Sequence, residues 1–458
     1  MTIKVETQVH RLGDICKIVG GGTPKTSESA YWDGDLPWIS GADILGMDDV
    51  NPRRSITQLG LDSSAANISP SGSVIIVTRV GLGKVAIAPF DLAHSQDSQT
   101  LIFDHSKIHP RFLAWQMKQI AEHFTIIARG TTITGITKKQ LADQLVWIPP
   151  FKQQEMIVEK LESELDSNDS LSETIKSTSK HLELLHSSIL KAACEGQLVP
   201  TEAELAGKEG RDYEPANQLL ERILAERRSR FEAENPRKKY IEPIHPNTTD
   251  LPNLPEGWCW STVGECFEFI AGVGFPKAIQ GTHGEAIPLF KVGSISAVYQ
   301  AGEKYLFDSE NTVSSEIAIQ LSKKLVPSGT IVFAKIGAAI GLNRRAVTAI
   351  ECLIDNNTAG LFPHKGLIDD EFAFSFMNTV RLMDYARATT VPSVRKYDIC
   401  AIPFPLPPYA EQIRISAKLI ELVNRSNDSS GLIQQCDIQS KLLWQSILLS
   451  SFSGNNRK

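Results

Sequence analysis

Two kinds of hydrophobic patterning alternate along the chain. Short β-branched runs, Ser73-Val74-Ile75-Ile76-Val77 and Thr330-Ile331-Val332-Phe333, lie between Gly- and Pro-rich turns and predict strands. Amphipathic helix is interleaved with them, as over residues 110–123. A different pattern holds over residues 154–195, which contain neither proline nor glycine. There Ile157, Leu161, Leu165, Ile175, Leu182, Leu185 and Ile189 recur at helical spacing. Ile415, Leu419, Leu422, Ile433, Leu442, Leu443 and Ile447 repeat the pattern. Each stretch predicts a helix of about 40 residues, roughly 60 Å long at ~1.5 Å per residue. A helix of that length with a narrow apolar stripe needs a partner, and the natural one is the other copy. Both helices are polar in the middle, and Gly431 is a weak point in the second. A third helix is expected over residues 215–234. Leu219, Leu220, Ile223, Leu224 and Phe231 share one face, and Asn235-Pro236 ends it.

The doubling of the long helix belongs to a wider repeat. Pro149-Pro150-Phe151-Lys152-Gln153-Gln154 matches Pro407-Pro408-Tyr409-Ala410-Glu411-Gln412, with an offset of 258. Leu184-Leu185 matches Leu442-Leu443, and Thr131-Thr132 matches Thr389-Thr390, at the same offset. Pro70-Ser71-Gly72 matches Pro327-Ser328-Gly329 at 257, and residues 97–100 match 355–358 at 258. The same order of matches at nearly one offset implies an internal duplication. The expected fold is mixed α/β (α+β). Two duplicated globular domains are separated by two long antiparallel helices that form a coiled-coil spacer. The expected boundaries are 1–150, a helix over 151–196, a linker over 197–257 with one amphipathic helix, 258–409, a helix over 410–454, and a tail over 455–458.

Composition narrows the function classes. The chain of 458 residues is 42% apolar and 22% charged, as in a globular protein. No apolar run is long enough to cross a bilayer, and residues 1–10 lack a signal-peptide core. Seven cysteines without a CxxC pair argue for a reducing compartment, the cytoplasm. Catalytic patterns fail one by one. Leu406 and Ile148, rather than Asn or Asp, precede the Pro-Pro-aromatic triplets, so these are not amino-methyltransferase sites. Gly20-Gly21-Gly22 has no GxxxxGK[ST] after it, and there is no HExxH and no clustered metal ligands. His94, His105 and His109 sit at loop-like spacing and read as structural or surface residues. Recognition, rather than catalysis, is expected.

At this point the residues carry a family resemblance. Gly22-Thr23-Pro24, followed by Tyr31-Trp32-Asp33-Gly34-Asp35-Leu36-Pro37-Trp38-Ile39-Ser40, resembles the opening of target-recognition domains in type I restriction–modification specificity subunits. Ile148-Pro149-Pro150-Phe151 with Gln154 is similar too, as is the helix end Ser188-Ile189-Leu190-Lys191-Ala192-Ala193 with Gly196-Gln197-Leu198. The second opening departs from the pattern, with Gly272-Val273-Gly274-Phe275-Pro276-Lys277 in place of the Gly-Thr-Pro form. That departure implies that the two domains read different DNA. The resemblance implies a non-catalytic reader of double-stranded DNA that recognises a bipartite, asymmetric target. The two helices would set the gap between the halves. It further implies two methyltransferase subunits and two restriction/translocase subunits as partners. S-adenosylmethionine, ATP and magnesium would reside in those partners, with no cofactor in this chain. A stand-alone DNA-binding regulator and a nucleic-acid-modifying enzyme remain the alternatives.

A reader needs basic and hydroxyl side chains on loops held by a rigid scaffold. In the first domain the candidates are Thr23, Lys25, Arg79, Lys84, Thr131, Thr132, Lys138 and Lys139. In the second they are Lys277, Lys335, Arg344, Arg345, Thr389, Thr390, Arg395 and Lys396. Arg79 and Lys335 are expected at corresponding places, as are Lys138 and Lys396. For the spacer and its partners the candidates are Ile157, Leu161, Leu165, Leu185, Ile189, Ile415, Leu419, Leu443 and Ile447. The net charge of −6 is uneven. Residues 151–257 hold 14 basic against 21 acidic residues, whereas residues 1–150 hold 14 of each. The acidity therefore lies outside the two domains. Weak DNA affinity of the isolated chain is expected, with partner subunits helping to clamp the duplex.

Overall fold

The computed structural model describes residues 9–129, 135–387 and 390–452. The chain divides into two units: Met1–Ser177 with Ile433–Lys458, and Thr178–Leu432. In the first unit Val9–Arg11 pairs antiparallel with Leu145–Trp147, which closes the domain at its base. A four-stranded antiparallel sheet follows, in the order Lys17–Gly20, Ser98–Ile102, Val74–Val77, Val85–Ile87. A second sheet holds Arg54–Ile56, Trp32–Ile39, Leu92–His94 and Ile68–Ser69. The run Val74-Ile75-Ile76-Val77 is apolar throughout because both of its faces are covered. Val74 and Ile76 pack with Leu113 and Met117 of helix Pro110–Arg129, while Ile75 and Val77 pack with Ile39 and Leu92.

The second unit repeats this plan. Cys259–Thr262 pairs with Pro403–Leu406. The main sheet runs Phe267–Ala271, Thr358–Pro363, Ile331–Ala334, Arg345–Thr348, Tyr305–Leu306. Helix Asp370–Thr379 covers it as Pro110–Arg129 covers the first sheet, with Phe372, Phe376 and Phe404 packed edge to face. The linker is part of this core. Leu219, Leu220 and Ile223 of helix Ala216–Glu234 join Trp258, Val263 and Phe372 in one cluster. The linker also holds a second helix, Glu202–Glu209, where one was expected. Its signals are local: Thr201 and Glu204 form a reciprocal capping box, and Gly210 ends the helix at φ 65°. Eight residues are too few to show a hydrophobic period.

The duplicated glutamines explain why a long helix begins where it does. Gln154 is fully buried on the first turn of helix Phe151–Cys194. Its Oε1 accepts from the backbone N–H of His109 at 2.8 Å, and its Nε2 donates to the carbonyls of Lys107 and Pro149. Gln412 does the same on helix Tyr409–Phe452, accepting from Asp369 N–H and donating to the Pro407 carbonyl. Each glutamine thus bolts its helix to the loop before the domain's own covering helix. Gln154→Ala would strand a buried N–H and two carbonyls, for an expected loss of about 2–3 kcal/mol. Urea unfolding of the full chain measures this, and a shift below about 0.5 kcal/mol would refute the anchoring role.

Each unit contains an antiparallel stretch of the two long helices. In the first unit Val158, Leu161 and Leu165 pack with Ile447 and Phe452, and with Phe112 of the domain. Ile157 is partly buried beside them. A buried polar pair interrupts this seam, where Ser440 donates through Oγ to Asn168 Oδ1 at 2.9 Å. A polar pair in an apolar seam fixes register, because a slip would leave both groups unsatisfied. In the second unit Leu190 and Ala193 share a core with Ile415 and Leu419, and Ile189 packs on its edge. Helix Tyr409–Phe452 runs unbroken through Gly431. Leu185 and Leu443 do not join the seam; they are 52% and 48% exposed. Positions 182 and 186 are the half-buried ones on the first helix, and 440 and 444 are turned inward on the second. One residue off the three-four spacing is a rotation of about 100°, enough to carry a leucine to solvent.

Candidate nucleic-acid interface

Four loops converge at one edge of the first domain. Thr78 and Arg79, at the end of strand Val74–Val77, take the Asp97 carbonyl through their backbone N–H groups, at 2.8 and 3.2 Å. The Ile136 N–H then donates to the Thr78 carbonyl at 2.7 Å, bringing in the segment before helix Lys138–Ala142. The Gly20–Lys25 loop joins through the Gly22 N–H and the His94 carbonyl. Only glycine fits at position 21, where a Cβ would lie 2.2–2.3 Å from His94 and the Ser95 carbonyl. His94 is buried and neutral. Burial lowers its pKa, and its ring nitrogens are taken by the Ser95 carbonyl and Thr100 Oγ1.

This edge gathers most of the first-domain candidates. Lys25, Arg79, Lys138 and Lys139 are exposed there, and half-buried Thr23 bonds to exposed Gln96. Arg79 lies 3.8 Å from an Asp97 carboxylate oxygen and is otherwise open. Lys84 is different: its Nζ donates to the carbonyls of Gly41 and Ile44, at 2.7 and 2.9 Å, and so supports the scaffold. Thr131 and Thr132 lie outside the described residues.

The second domain builds the same edge with other side chains. The Lys335 N–H takes the Asn357 carbonyl, and the Lys335 carbonyl receives the Val394 N–H, at 2.8 and 2.9 Å. Lys335 therefore occupies the place of Thr78, and Ile336 that of Arg79; the expected pairing of Arg79 with Lys335 is off by one. The match of residues 97–100 with 355–358 is also displaced. Ser98 faces Val77 across the first sheet, and Thr358 faces Ala334 across the second, an offset of 260. Lys138 and Lys396 do correspond, each opening a five-residue helix. Lys277, Thr390, Arg395 and Lys396 are exposed, and Lys335 and Arg344 are half-buried. Burial lowers the Lys335 pKa, with Asp355 acting against that shift. Thr389 lies outside the described residues.

Arg345 is not a surface residue. It is 2% exposed, and its guanidinium donates to the carbonyls of Asn343 and Val380 and to Asn343 Oδ1. Burial lowers its pKa to about 10. It inverts the outward-charge rule because it ties strand Arg345–Thr348 to the end of the covering helix. Positive charge does not mark the amides of these loops. Gln96, Asn356 and Asn357 sit on the same loops, and Asn and Gln are the side chains that pair two-pronged with adenine.

The model of the type I restriction modification DNA specificity domain matches residues 4–178 and again 255–435. The EcoDI specificity subunit of Escherichia coli is 22% identical over 456 residues, covering 99% of this chain and 89% of that subunit. The MjaIX specificity subunit of Methanocaldococcus jannaschii is 25% identical over 193 residues, 41% of this chain and 44% of that subunit. Among solved structures, a chain from work on assembly and conformational transition of the type I R-M system superposes with a TM-score of 0.69. That match has 18% identity and covers 99% of this chain and 100% of the other. The HsdS subunit from Thermoanaerobacter tengcongensis gives 0.59 at 18% identity, over 98% of this chain and 97% of that one. Two separate matches, one on each copy of the duplicated domain, place the sequence: the chain belongs to the type I restriction–modification DNA specificity family.

Proposed function

We propose that this chain is the non-catalytic DNA-reading subunit of a type I restriction–modification complex. Each loop edge would read one half of a split, asymmetric duplex target. The observation that carries this reading is the repetition of one scaffolded edge with different side chains, Arg79 against Ile336 and Thr78 against Lys335. Equal backbones with unequal side chains suit two different half-sites. Two methyltransferase subunits would dock on the helices and carry S-adenosylmethionine. Two restriction/translocase subunits would carry ATP and magnesium. The duplication supports a pair of docking surfaces, because Leu184 and Leu185 are exposed on one helix and Leu442 and Leu443 on the other. The complex would work in the cytoplasm; among the described residues no helix is long and apolar enough to cross a membrane.

The test uses the assembled complex and a duplex carrying its methylated site. Lys138→Ala with Lys139→Ala removes two exposed charges from the first edge. The expected result is an affinity reduced by about tenfold or more and a salt slope shallower by about 1–2. An unchanged slope would exclude these lysines from the phosphate contacts. Arg345→Ala is unsuitable for this purpose, because its loss opens the core.

A further inference from the structure

The linker adds to the second domain something the first domain lacks. Helix Ala216–Glu234 and the extended segment after it enclose a cavity of about 440 Å³ against strand Phe267–Ala271. Five cations line it: Arg227, Arg230, Lys238, Lys239 and Lys396. None of the five makes an ion pair among the described residues. One of the two carboxylates on the wall, Glu234, is already taken by Lys324. Arg227 is held in place by the carbonyls of Gly264 and Phe267, which fix the guanidinium without neutralising it.

The cavity is aromatic as well as cationic. Phe231 and Tyr240 pack with ring centroids 5.4 Å apart, and Phe269 lies beneath the Lys396 ammonium. Two polar groups on its wall lack partners among the described residues. Tyr240 OH is buried with no hydrogen bond, and so is Nε2 of His364. Buried polar groups are rarely left so, and each costs about 1–3 kcal/mol unless something satisfies it. His364 is 4% exposed, and burial, then Arg227 and Arg230, lower its pKa to about 4. It is therefore a neutral imidazole set among cations, able to bond without adding charge. The residue in its place in the first domain is Asp104. Both accept through their backbone carbonyls from the residues three and four positions on. Asp104 is exposed and bonded to Ser106.

We propose that this cavity binds a nucleotide. Its phosphates would lie among the five cations, and its base would lie against Phe231 and Tyr240. The volume is in the range of small-molecule sites, about 300–1,000 Å³. A simple inorganic anion would leave the aromatic wall and the two unpartnered groups unused. The same chemistry has two sources, a free nucleotide or one nucleotide of a DNA strand.

Titration calorimetry of the full chain with ATP, with inorganic triphosphate and with a duplex oligonucleotide tests this. The expected result is saturable binding of one ATP per chain, tighter than triphosphate. Arg230→Ala and Tyr240→Leu should each weaken it about tenfold or more, the scale of losing one charged hydrogen bond. If either variant melts early, Lys238→Ala with Lys239→Ala, both on exposed residues, replaces it. ATP binding that persists when the duplex is saturating identifies the free nucleotide as the source. ATP displaced by duplex, with duplex affinity also lowered in the lysine variant, identifies the strand. Absence of ATP binding, triphosphate binding as tightly as ATP, or variants that bind ATP like the parent would each overturn the proposal. Lys138→Ala with Lys139→Ala should leave ATP binding unchanged, which separates this site from the DNA-reading edge of the first domain, whereas Lys396 belongs both to the cavity and to the edge of the second.

Discussion

Replacing Arg414 with alanine is expected to destabilise the second unit by about 1.5–3 kcal/mol, because a buried carboxylate loses one of the two guanidinium groups that hold it. Glu202 opens the short linker helix and is 3% exposed. Its carboxylate is held by Arg414 from the second long helix and by Arg211 at 2.6 Å. Its backbone N–H donates to Glu411 at 2.8 Å, and the other oxygen of Glu411 accepts from Trp258 Nε1 at 2.9 Å. Linker, long helix and domain are thus joined through one buried knot. The first copy has Gln153 where Glu411 stands, and no linker to tie.

The knot also sets an acid limit. Burial acts to raise the Glu202 pKa, but the hydrogen bonds and charges of Arg414 and Arg211 overcome it and hold the carboxyl below its ordinary value. A depressed folded pKa stabilises above the unfolded value, about 4.3, and that stability is lost as pH falls through the folded value. Glu411 runs the other way. Burial pushes it up, so its share is present at low pH and declines as pH rises past the unfolded value. Hydrogen exchange on the full chain assigns the effect. In the Arg414→Ala protein, segments 202–209 and 411–419 should lose protection while strand Val74–Val77 keeps it. Equal protection in both proteins would show that the Glu202–Arg414 pair holds little.

Periodicity made the architecture legible, and the points it missed share a cause. A repeat offset shows that two stretches correspond, but only the strand ladder fixes the register within them. Asp97 and Thr100 resemble Asp355 and Thr358 locally, yet the ladder places Ser98, not Thr100, at the position of Thr358. Between these two strands the second copy holds three more residues than the first, and the loop side chains move with them. Arg345 lies in the core rather than on the expected surface for a related reason. A charge beside the exposed tip of a turn reads as surface unless the carbonyls waiting for it are known. Leu185 and Leu443 show the converse, since an amphipathic stripe gives the apolar residues but not which of two neighbours the partner covers. The glutamine anchors are visible as a repeated motif, though the N–H groups they accept from lie more than forty residues upstream.

Lengthening both long helices together is expected to change which DNA the complex modifies. The proposal assigns the helices the role of a spacer, and their seam suggests how to extend it without breaking it. Burial on helix Phe151–Cys194 falls at 154, 158, 161, 165, 168 and 175, positions compatible with steps of four and three. Seven residues inserted after Ser172 therefore restore the same face to within about 20°, whereas five would turn every later seam residue about 140° away from it. Asn168 bonds to Ser440 in the antiparallel pair, so the matching insertion belongs just before Cys436. Seven residues add about 10 Å of helix. At about 3.4 Å per base pair the gap between half-sites should grow by roughly three base pairs. The half-sites themselves should not change, because no loop side chain is touched. Sequencing methylated sites in a host that expresses the variant with its methyltransferase partner reads both quantities at once. A methylated motif with the parental gap would refute the spacer role. An altered half-site at the parental gap would instead place sequence reading on the helices. Inserting seven residues in one helix alone lets only one of the two paired stretches, Asn168 with Ser440 or Leu190 with Ile415, keep its register, and the expected outcome there is loss of methylation rather than a new gap.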